Sequence, residues 1–123
     1  MKYYYCEICG NVLEAVDDKN VTPICCGKQM NELTANNDDS AAKEKHVPVF
    51  NKNGYLVNVK VGETPHPMSE EHYIKWIEVE TDKGIYRKFL NPDDKPTAEF
   101  VINEKEVVLK VYAYCNLHGL WVC

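Results

Sequence analysis

The run VVLKVYAYCNLHGLW, residues 107–121, carries the two features on which the interpretation of the whole chain depends. Its first half is rich in β-branched and aromatic residues, which predicts a strand over Val107–Tyr114. Its second half places Cys115 three residues before His118 on a short loop. A thiolate and an imidazole at this spacing can both reach one metal ion. Because such a pair also arises by chance, its weight depends on the other histidines.

The other three histidines lie in proline-containing segments that are typical of loops and strand edges. His46 occurs in EKHVPV, and His66 and His72 occur in TPHPMSEEHY. If the fold brings these loops to the end of the predicted strand, every histidine of the chain meets at Cys115. Taken singly, a histidine on such a loop is more often a surface or hydrogen-bonded residue than a ligand.

The composition is that of a globular protein, in which 45% of the residues are apolar and 27% are charged. A net charge of −5 argues against a nucleic-acid partner, because such proteins carry basic surfaces. No apolar run approaches the roughly 18 residues of a membrane helix, and the segment MKYYYCEICG lacks the apolar core of a secretory signal. These features predict a cytoplasmic protein with neither a nucleic-acid nor a membrane partner. In that compartment, closely spaced cysteines more often bind metal or catalyse reactions than form disulfides.

Residues 1–36 contain the pattern C-x2-C-x15-C-C, formed by Cys6, Cys9, Cys25 and Cys26. About 35 residues cannot bury enough apolar surface to fold unaided, so we expect a structural metal ion that stabilises this segment. Four thiolates suit tetrahedral zinc or iron. Since neighbouring side chains on an extended chain point apart, the vicinal pair must distort either the backbone or the tetrahedron. A structural zinc knuckle and a redox dithiol are alternatives that the spacing leaves open.

The remainder of the chain has the pattern of an all-β domain. Residues 37–43 are polar and non-periodic, as is typical of a linker. From residue 44 onward, runs such as Val57, Val59 and Val61 alternate with polar residues, and Asp82-Lys83-Gly84 is typical of a turn. About seven short strands with frequent turns and no convincing helix predict an antiparallel sandwich of the Ig-like type.

Several motifs taken together resemble a known family. EKHVPV, TPHPMSEEHYIKWIE and CNLHGLW resemble the catalytic domain of superoxide reductases, and CEICG with CCG resembles a desulforedoxin-like module. A chain that carries both in this order resembles the desulfoferrodoxin family of two-iron superoxide reductases. The resemblance implies a desulforedoxin- or rubredoxin-like iron-knuckle domain at residues 1–36 and an Ig-like β-sandwich catalytic domain at residues 44–123.

The resemblance also implies two iron ions per chain. The first would be a distorted tetrahedral Fe(Cys)4 centre, and the second an Fe(His)4(Cys) centre with an axial thiolate opposite an open position. Glu44 is implied as the sixth ligand of the ferric state, and Lys45 as a cation beside the open position. His118 is expected to bind through Nδ1 and the other histidines through Nε2. The implied ligands are Cys6, Cys9, Cys25 and Cys26 for the first centre, and His46, His66, His72, Cys115 and His118 for the second.

The activity implied by the resemblance is the one-electron reduction of superoxide to hydrogen peroxide without formation of dioxygen. It would serve oxidative-stress defence in an anaerobe or microaerophile, with a rubredoxin-type electron donor and a homodimeric assembly. A superoxide dismutase, a non-catalytic electron carrier and a zinc-stapled binding module are the competing functions. Among the motif residues that are not implied ligands, we interpret Trp76 and Trp121 as core residues and Met68 as a packing residue. Cys123 lies outside every motif, and we interpret it as an unbound thiol.

Overall fold

The structure is a computed structural model that describes all 123 residues, and it contains strands and turns but no helix. The chain divides into two compact units, Met1–Thr34 and Ala35–Cys123. The prediction of a mainly β, antiparallel fold is confirmed, because all strand pairs are antiparallel. No helix of the length and apolar character that a membrane crossing demands is present.

The first unit is built from five short strands. A three-stranded sheet has the order β2-β1-β5, and β3 and β4 form a separate two-stranded ribbon. Its buried residues are only four: Tyr3, Tyr4, Cys6 and Met30. So little buried apolar surface contributes little to stability, as expected for a segment of this length. The strands are β1 (Lys2–Tyr5), β2 (Val12–Ala15), β3 (Ile24–Cys25), β4 (Lys28–Gln29) and β5 (Asn31–Glu32).

The second unit contains seven strands in two sheets, in agreement with the number predicted. One sheet has the order β10-β7-β6, and the other has the order β12-β11-β8-β9. The sheets bury a common core that includes the alternating valines predicted for the first hairpin, Val57, Val59 and Val61. Full burial of one such side chain stabilises the fold by roughly 1.5–3 kcal/mol. The strands are β6 (Pro48–Asn53), β7 (Leu56–Val61), β8 (Ile74–Thr81), β9 (Ile85–Phe89), β10 (Thr97–Val101), β11 (Val108–Cys115) and β12 (Gly119–Val122).

Strand β11 aims its last side chain into the core. Val111, Ala113 and Cys115 share the core face because residues two apart on a strand point the same way. The pairing of β11 with β8 shifts register between Tyr114 and Cys115. Such irregularities re-aim side chains and are frequent next to active sites. The thiol of Cys115 is therefore buried at the end of the strand, beside the turn that leads to β12.

Strand pairing brings the histidine-bearing segments to this same end of the sandwich. The start of β6 pairs with the end of β7 through Pro48 and Val61, so the segment before β6 lies beside the loop of residues 62–73. That loop leads into β8, whose first residue, Ile74, pairs with Cys115. The strand topology thus brings His46, His66, His72 and the turn after β11 to one end of the sandwich.

Candidate metal centres

Four cysteines of the first unit form one group, here called the four-cysteine cluster. It comprises Cys6, Cys9, Cys25 and Cys26, whose Sγ atoms all lie within 4.8 Å of one another. The Sγ atoms of Cys9 and Cys25 are 3.7 Å apart. Cys6 is buried and Cys25 half-buried, whereas Cys9 and Cys26 are exposed. Four sulfurs at this separation match the donor set of a tetrahedral zinc or iron site.

The backbone around the vicinal pair is distorted, as the spacing predicts. Cys26 has a φ of 55°, in the left-handed region that residues other than glycine rarely adopt. The turn that contains Cys6 and Cys9 is closed by a hydrogen bond from the N–H of Gly10 to the carbonyl of Cys6, at 2.8 Å. Gly10 and Gly27 have φ values of 80° and 72°, which their lack of a Cβ permits. The chain therefore places both thiols of the pair on one side by bending the backbone.

The thiols of this cluster differ in acidity. The N–H of Cys9 lowers the pKa of the Cys6 thiol to about 6, with a further contribution from the N–H of Ile8 that acts against burial. The neighbouring sulfurs, that of Cys9 most strongly, raise the pKa of Cys26 to about 12. Four thiols so close together cannot all ionise unless a cation neutralises them. Since metal binding drives thiol deprotonation, the donor set fits a divalent cation.

Four histidines and one cysteine of the second unit form the histidine–cysteine cluster. Its members are His46, His66, His72, His118 and Cys115. The donor atoms of His46, His66, His72 and Cys115 lie within 4.8 Å of one another. Nδ1 of His118 is 3.2 Å from Nε2 of His46 and 3.8 Å from Sγ of Cys115. The structure thus brings together all five residues that the sequence assigned to the second centre.

The four imidazoles are arranged as a square. Successive ring centroids are 4.6 Å apart for His46 and His66, 4.7 Å for His66 and His72, 5.0 Å for His72 and His118, and 5.0 Å for His118 and His46. The diagonal between His46 and His72 is longer, at 6.4 Å. One ion at the centre of such a square would have the four rings around it and the Cys115 sulfur on one side.

The hydrogen bonds of the rings leave nitrogen lone pairs available within the cluster. Nδ1 of His66 lies 2.7 Å from the carbonyl oxygen of Pro67, so it carries the proton and donates it. Nε2 of His66 and Nε2 of His72 are buried and have no hydrogen-bond partner. The nitrogen of His46 that faces the cluster is Nε2, which lies beside His118. Nδ1 of His118 is the nitrogen that faces both His46 and Cys115. Buried nitrogens without partners are costly unless an ion binds them, so these residues fit a metal.

Burial favours the neutral imidazoles that metal ligation requires. It lowers the pKa of His66 to about 4 and lowers that of His46 as well. Burial likewise raises the pKa of the Cys115 thiol, against the opposing effect of the N–H groups of His118 and Leu117. A buried thiolate is costly without a neutralising charge, and a bound cation would supply one.

The members of the histidine–cysteine cluster differ in their access to solvent. Cys115 is fully buried, with 0% of its surface exposed. On another side, an open pocket of about 500 Å³ is lined by Glu44, His46 and His118 together with Ala42, Lys43 and Trp121. A carboxylate oxygen of Glu44 lies within 4.8 Å of the donor atoms of His46 and His118. Glu44 is therefore placed where it can reach an ion bound by the histidines.

Lys45, the cation assigned beside the open position, has a specific partner. Its Nζ donates to the backbone carbonyl of Asp39 at 3.1 Å. Lys45 is half-buried, and the lysine that lines the pocket itself is Lys43. The vicinity of the cluster therefore contains two lysines, of which the sequence motif singles out only Lys45.

Comparison with known proteins assigns the chain to a family. Residues 38–123 match the family model described as Desulfoferrodoxin. Over 121 residues the chain is 49% identical to the desulfoferrodoxin of Syntrophotalea carbinolica, covering 98% of this chain and 94% of the relative. It is 47% identical over 118 residues to the desulfoferrodoxin of Nitratidesulfovibrio vulgaris, covering 96% of this chain and 91% of the relative. The chain belongs to the desulfoferrodoxin family.

A solved structure supports the same assignment. The superoxide reductase of Treponema pallidum is similar with a TM-score of 0.86 at 32% identity, and the match covers 99% of this chain and 96% of that one. The resemblance drawn from the sequence motifs is therefore confirmed.

Trp121 has a role in this desulfoferrodoxin-family site that the sequence does not reveal. It is buried, as predicted for a core residue. However, its ring also stacks on His46, with centroids 4.4 Å apart and planes 12° apart. Its indole N–H donates to the carbonyl of His118 at 3.2 Å. Trp76, by contrast, stacks on Tyr114 and is not part of the cluster.

Asn116 is a second residue that sequence reasoning missed. Its Oδ1 accepts the N–H of Tyr73 at 2.9 Å, and its Nδ2 donates to the carbonyl of Glu71 at 2.9 Å. It thereby joins the turn after Cys115 to the segment that carries His72. The only signal in the sequence is its position next to a proposed ligand.

Met68 and Cys123, the two sulfur residues that were not assigned as ligands, lie outside both clusters. Met68 packs against the core, and its Sδ accepts the N–H of Ile74 at 3.4 Å. Its position agrees with the packing interpretation. Cys123 is a free cysteine whose backbone pairs with Val111.

Proposed function

We propose that this chain is a superoxide reductase. It transfers one electron to superoxide, and the addition of two protons then gives hydrogen peroxide. The observation that carries the proposal is the asymmetry of the histidine–cysteine cluster. A square of four imidazoles has a fully buried thiol on one side and an open pocket at Glu44 on another. The four imidazoles and the thiol would hold a metal ion, while the pocket would give a small ligand access to it and the soft donor stays shielded from water. Relatives in Pyrococcus abyssi and Thermococcus kodakarensis bear the name superoxide reductase.

Iron bound at this cluster would supply the one-electron chemistry, as a thiolate ligand increases the electron density that iron can donate. The chain contributes neutral imidazoles and a single thiolate, so a ferrous site retains a net positive charge that attracts an anion. The N–H groups of His118 and Leu117 act on the sulfur of Cys115 and stabilise its ionised form. The proposed iron ligands are the five members of the histidine–cysteine cluster: His46, His66, His72, His118 and Cys115.

Two side chains near the open side have proposed roles in approach and in the resting state. Lys45 attracts superoxide, since its half-buried charge is less screened than a fully exposed one. Glu44 supplies a hard oxygen donor, which suits ferric iron better than ferrous iron. With iron bound, Glu44 would therefore be a ligand of the ferric state and not of the ferrous state. The pocket beside Glu44 is open to water, which can provide the two protons.

The four-cysteine cluster is proposed to hold a second iron ion as an Fe(Cys)4 centre. With Cys9 and Cys26 exposed, this centre is accessible to an electron donor. We assign the donor to the rubredoxin class, and we expect the chain to act as a homodimer. The residues that carry superoxide reduction nevertheless all lie in the second unit.

Product stoichiometry and metal analysis test the proposal together. The purified protein should contain about two irons per chain, since its nine candidate ligands divide into two sets. With a reductant present, each superoxide consumed should yield one hydrogen peroxide and little dioxygen. One peroxide and one dioxygen for every two superoxides would indicate a dismutase instead. Zinc in both sites without superoxide consumption would indicate a binding module, and iron without superoxide consumption an electron carrier.

A further inference from the structure

Asp39 lies in the polar stretch that the sequence predicts to be a linker, yet it binds three consecutive residues of the motif EKHVPV. One carboxylate oxygen, Oδ2, accepts the N–H of His46 at 2.8 Å and the N–H of Val47 at 2.9 Å. Its backbone carbonyl accepts a hydrogen bond from the Nζ of Lys45 at 3.1 Å. A single residue thus contacts the backbone that carries one histidine of the cluster and the side chain of the cation beside it.

These contacts are of a strong kind. A hydrogen bond to an ionised acceptor is roughly twice as strong as one between neutral groups. Burial acts to raise the pKa of Asp39, but the N–H groups of Val47 and His46, together with the charge of Lys45, lower it below its usual value. Asp39 is half-buried, so water competes less for the carboxylate than at a fully exposed position. The carboxylate is therefore ionised at neutral pH and holds both amides.

The opposite side of the same segment is fixed by the backbone of Gly62. Its N–H donates to the carbonyl of Val47 at 3.2 Å. Gly62 has a φ of 85°, and a Cβ at this position would lie 2.6 Å from the carbonyl oxygen of Lys45. The chain can approach this closely only because residue 62 is glycine. Lys45–Val47 is accordingly held between Asp39 on one side and the loop of residues 62–73 on the other.

We propose that Asp39 is a positioning residue that holds the Lys45–Val47 backbone, so that the His46 ring and the Lys45 ammonium keep their places at the histidine–cysteine cluster. The part of this role that concerns turnover rests on the function proposed above. The part that concerns the backbone does not, since it requires only that the three hydrogen bonds form.

The neighbouring Asp38 provides a matched control. Asp38 is exposed, and its Oδ1 accepts the N–H of Ser40 at 2.9 Å, so its carboxylate does not bind the backbone of His46 or Val47. Asp38→Ala and Asp39→Ala each remove one negative charge from adjacent positions, so their effects on the general field of the protein are equal. Any difference between the two variants reports the hydrogen bonds of Asp39. Asp39→Asn keeps an oxygen acceptor without the charge and is the conservative variant.

The first measurement is amide hydrogen exchange, followed by mass spectrometry, in the full-length protein as purified. In Asp39→Ala, the amides of His46 and Val47 should exchange faster by about tenfold or more, because two charge-assisted bonds are lost. Asp39→Asn should restore part of the protection, and Asp38→Ala should match the parent. Amides in the core strand β8 serve as an internal reference and should be unchanged in all variants. Equal exchange of His46 and Val47 in Asp39→Ala and Asp38→Ala would overturn the proposal.

The second measurement concerns the iron-loaded protein. Asp39→Ala should release iron from the histidine–cysteine cluster to a chelator faster, by roughly 10- to 100-fold, which is the range for changes that disturb ligand orientation. Asp39→Ala should also react more slowly with superoxide. Loss of a negative charge alone would have the opposite effect, because it would speed the approach of an anion. If iron release and the superoxide reaction equal those of Asp38→Ala, the positioning role is wrong even where amide exchange has changed. Failure of the parent to consume superoxide would refute the proposed function, and exchange and iron release would still decide the role of Asp39.

Discussion

The four-cysteine cluster has two exposed ligands, Cys9 and Cys26, whereas the histidine–cysteine cluster buries Cys115, His46 and His66 almost completely. The former stands in a unit that has only four buried residues. The latter stands at the end of a sandwich with a core of twelve buried residues. The difference shows two ways to position metal ligands. We therefore expect that the first unit needs a bound ion to stay folded, whereas the second unit places its candidate ligands by its own packing.

The largest expected effect follows from removal of metal. In the metal-free protein, Met1–Thr34 should lose its structure, because it cannot bury enough apolar surface alone. Ala35–Cys123 should keep its sandwich. Residue-resolved amide exchange, before and after chelation, measures both at once. Retention of protection in β1 without metal would remove the contrast between the units, and so would loss of protection in β8 and β11.

Replacement of the buried sulfur should have the next largest effect. Cys115→Ser exchanges a soft thiolate for a hard oxygen in the one ligand that lies wholly inside the core. Reaction with superoxide should fall by about 100-fold or more, beyond the usual cost of changes around a metal site. The measurement is stopped-flow kinetics on protein confirmed to contain iron. Cys123→Ser is the control, because Cys123 lies outside both clusters. A nearly normal rate in iron-loaded Cys115→Ser would exclude the thiolate from the chemistry.

A smaller effect is expected from Lys45, since attraction alters the approach of superoxide and not the chemistry that follows. Lys45→Met should slow the bimolecular reaction by about tenfold, the low end of the range for electrostatic steering, and should flatten its dependence on salt. Lys43→Met removes the same charge from an exposed residue of the pocket. Because an exposed charge is screened more strongly, it should slow the reaction less. Equal rates and salt slopes in the two variants would show that position is irrelevant.

The smallest effect on the reduced enzyme is expected from Glu44. Glu44→Ala should leave the first reaction of the ferrous protein nearly unchanged and alter the visible spectrum of the ferric protein, because a carboxylate binds ferric iron preferentially. Glu63→Ala, which removes an exposed carboxylate from the loop after β7, should change neither property. The ferrous step is measured by pulse radiolysis, and the ferric state by absorption. A ferrous step slowed as much as in Lys45→Met would show that Glu44 acts before oxidation.

Much of the fold could be predicted from local pattern. Val57, Val59 and Val61 alternate with polar residues, and period-two alternation requires one buried face. The predicted strand Val107–Tyr114 differs from the observed Val108–Cys115 by one residue at each end. The convergence of the histidines was harder to predict from the sequence, because it depends on the pairing of Pro48 with Val61 and of Ile74 with Cys115. Spacing alone does not specify these long-range pairs, and the ligand set came from the family resemblance.

The supporting residues of the site could not be predicted, because their contacts follow no sequence period. The polar composition around Asp39 predicts a linker, yet the Asp39 carboxylate accepts hydrogen bonds from the amides of His46 and Val47. Trp121 satisfies the pattern of a core residue while it also stacks on His46. Asn116 joins two loops that are 43 residues apart in sequence. Each of these contacts requires knowledge of which loops meet.

The central claim is that superoxide reacts at the histidine–cysteine cluster independently of the four-cysteine cluster. The most direct test is the rate at which fully reduced Cys9→Ser protein, with iron confirmed in the histidine–cysteine cluster, reacts with superoxide in a single turnover. Cys9 lies in the first unit and contributes only to the four-cysteine cluster. The rate should equal that of the parent, although the visible absorption of the first centre is lost. A rate that falls as far as in Cys115→Ser would contradict the separation of the two sites.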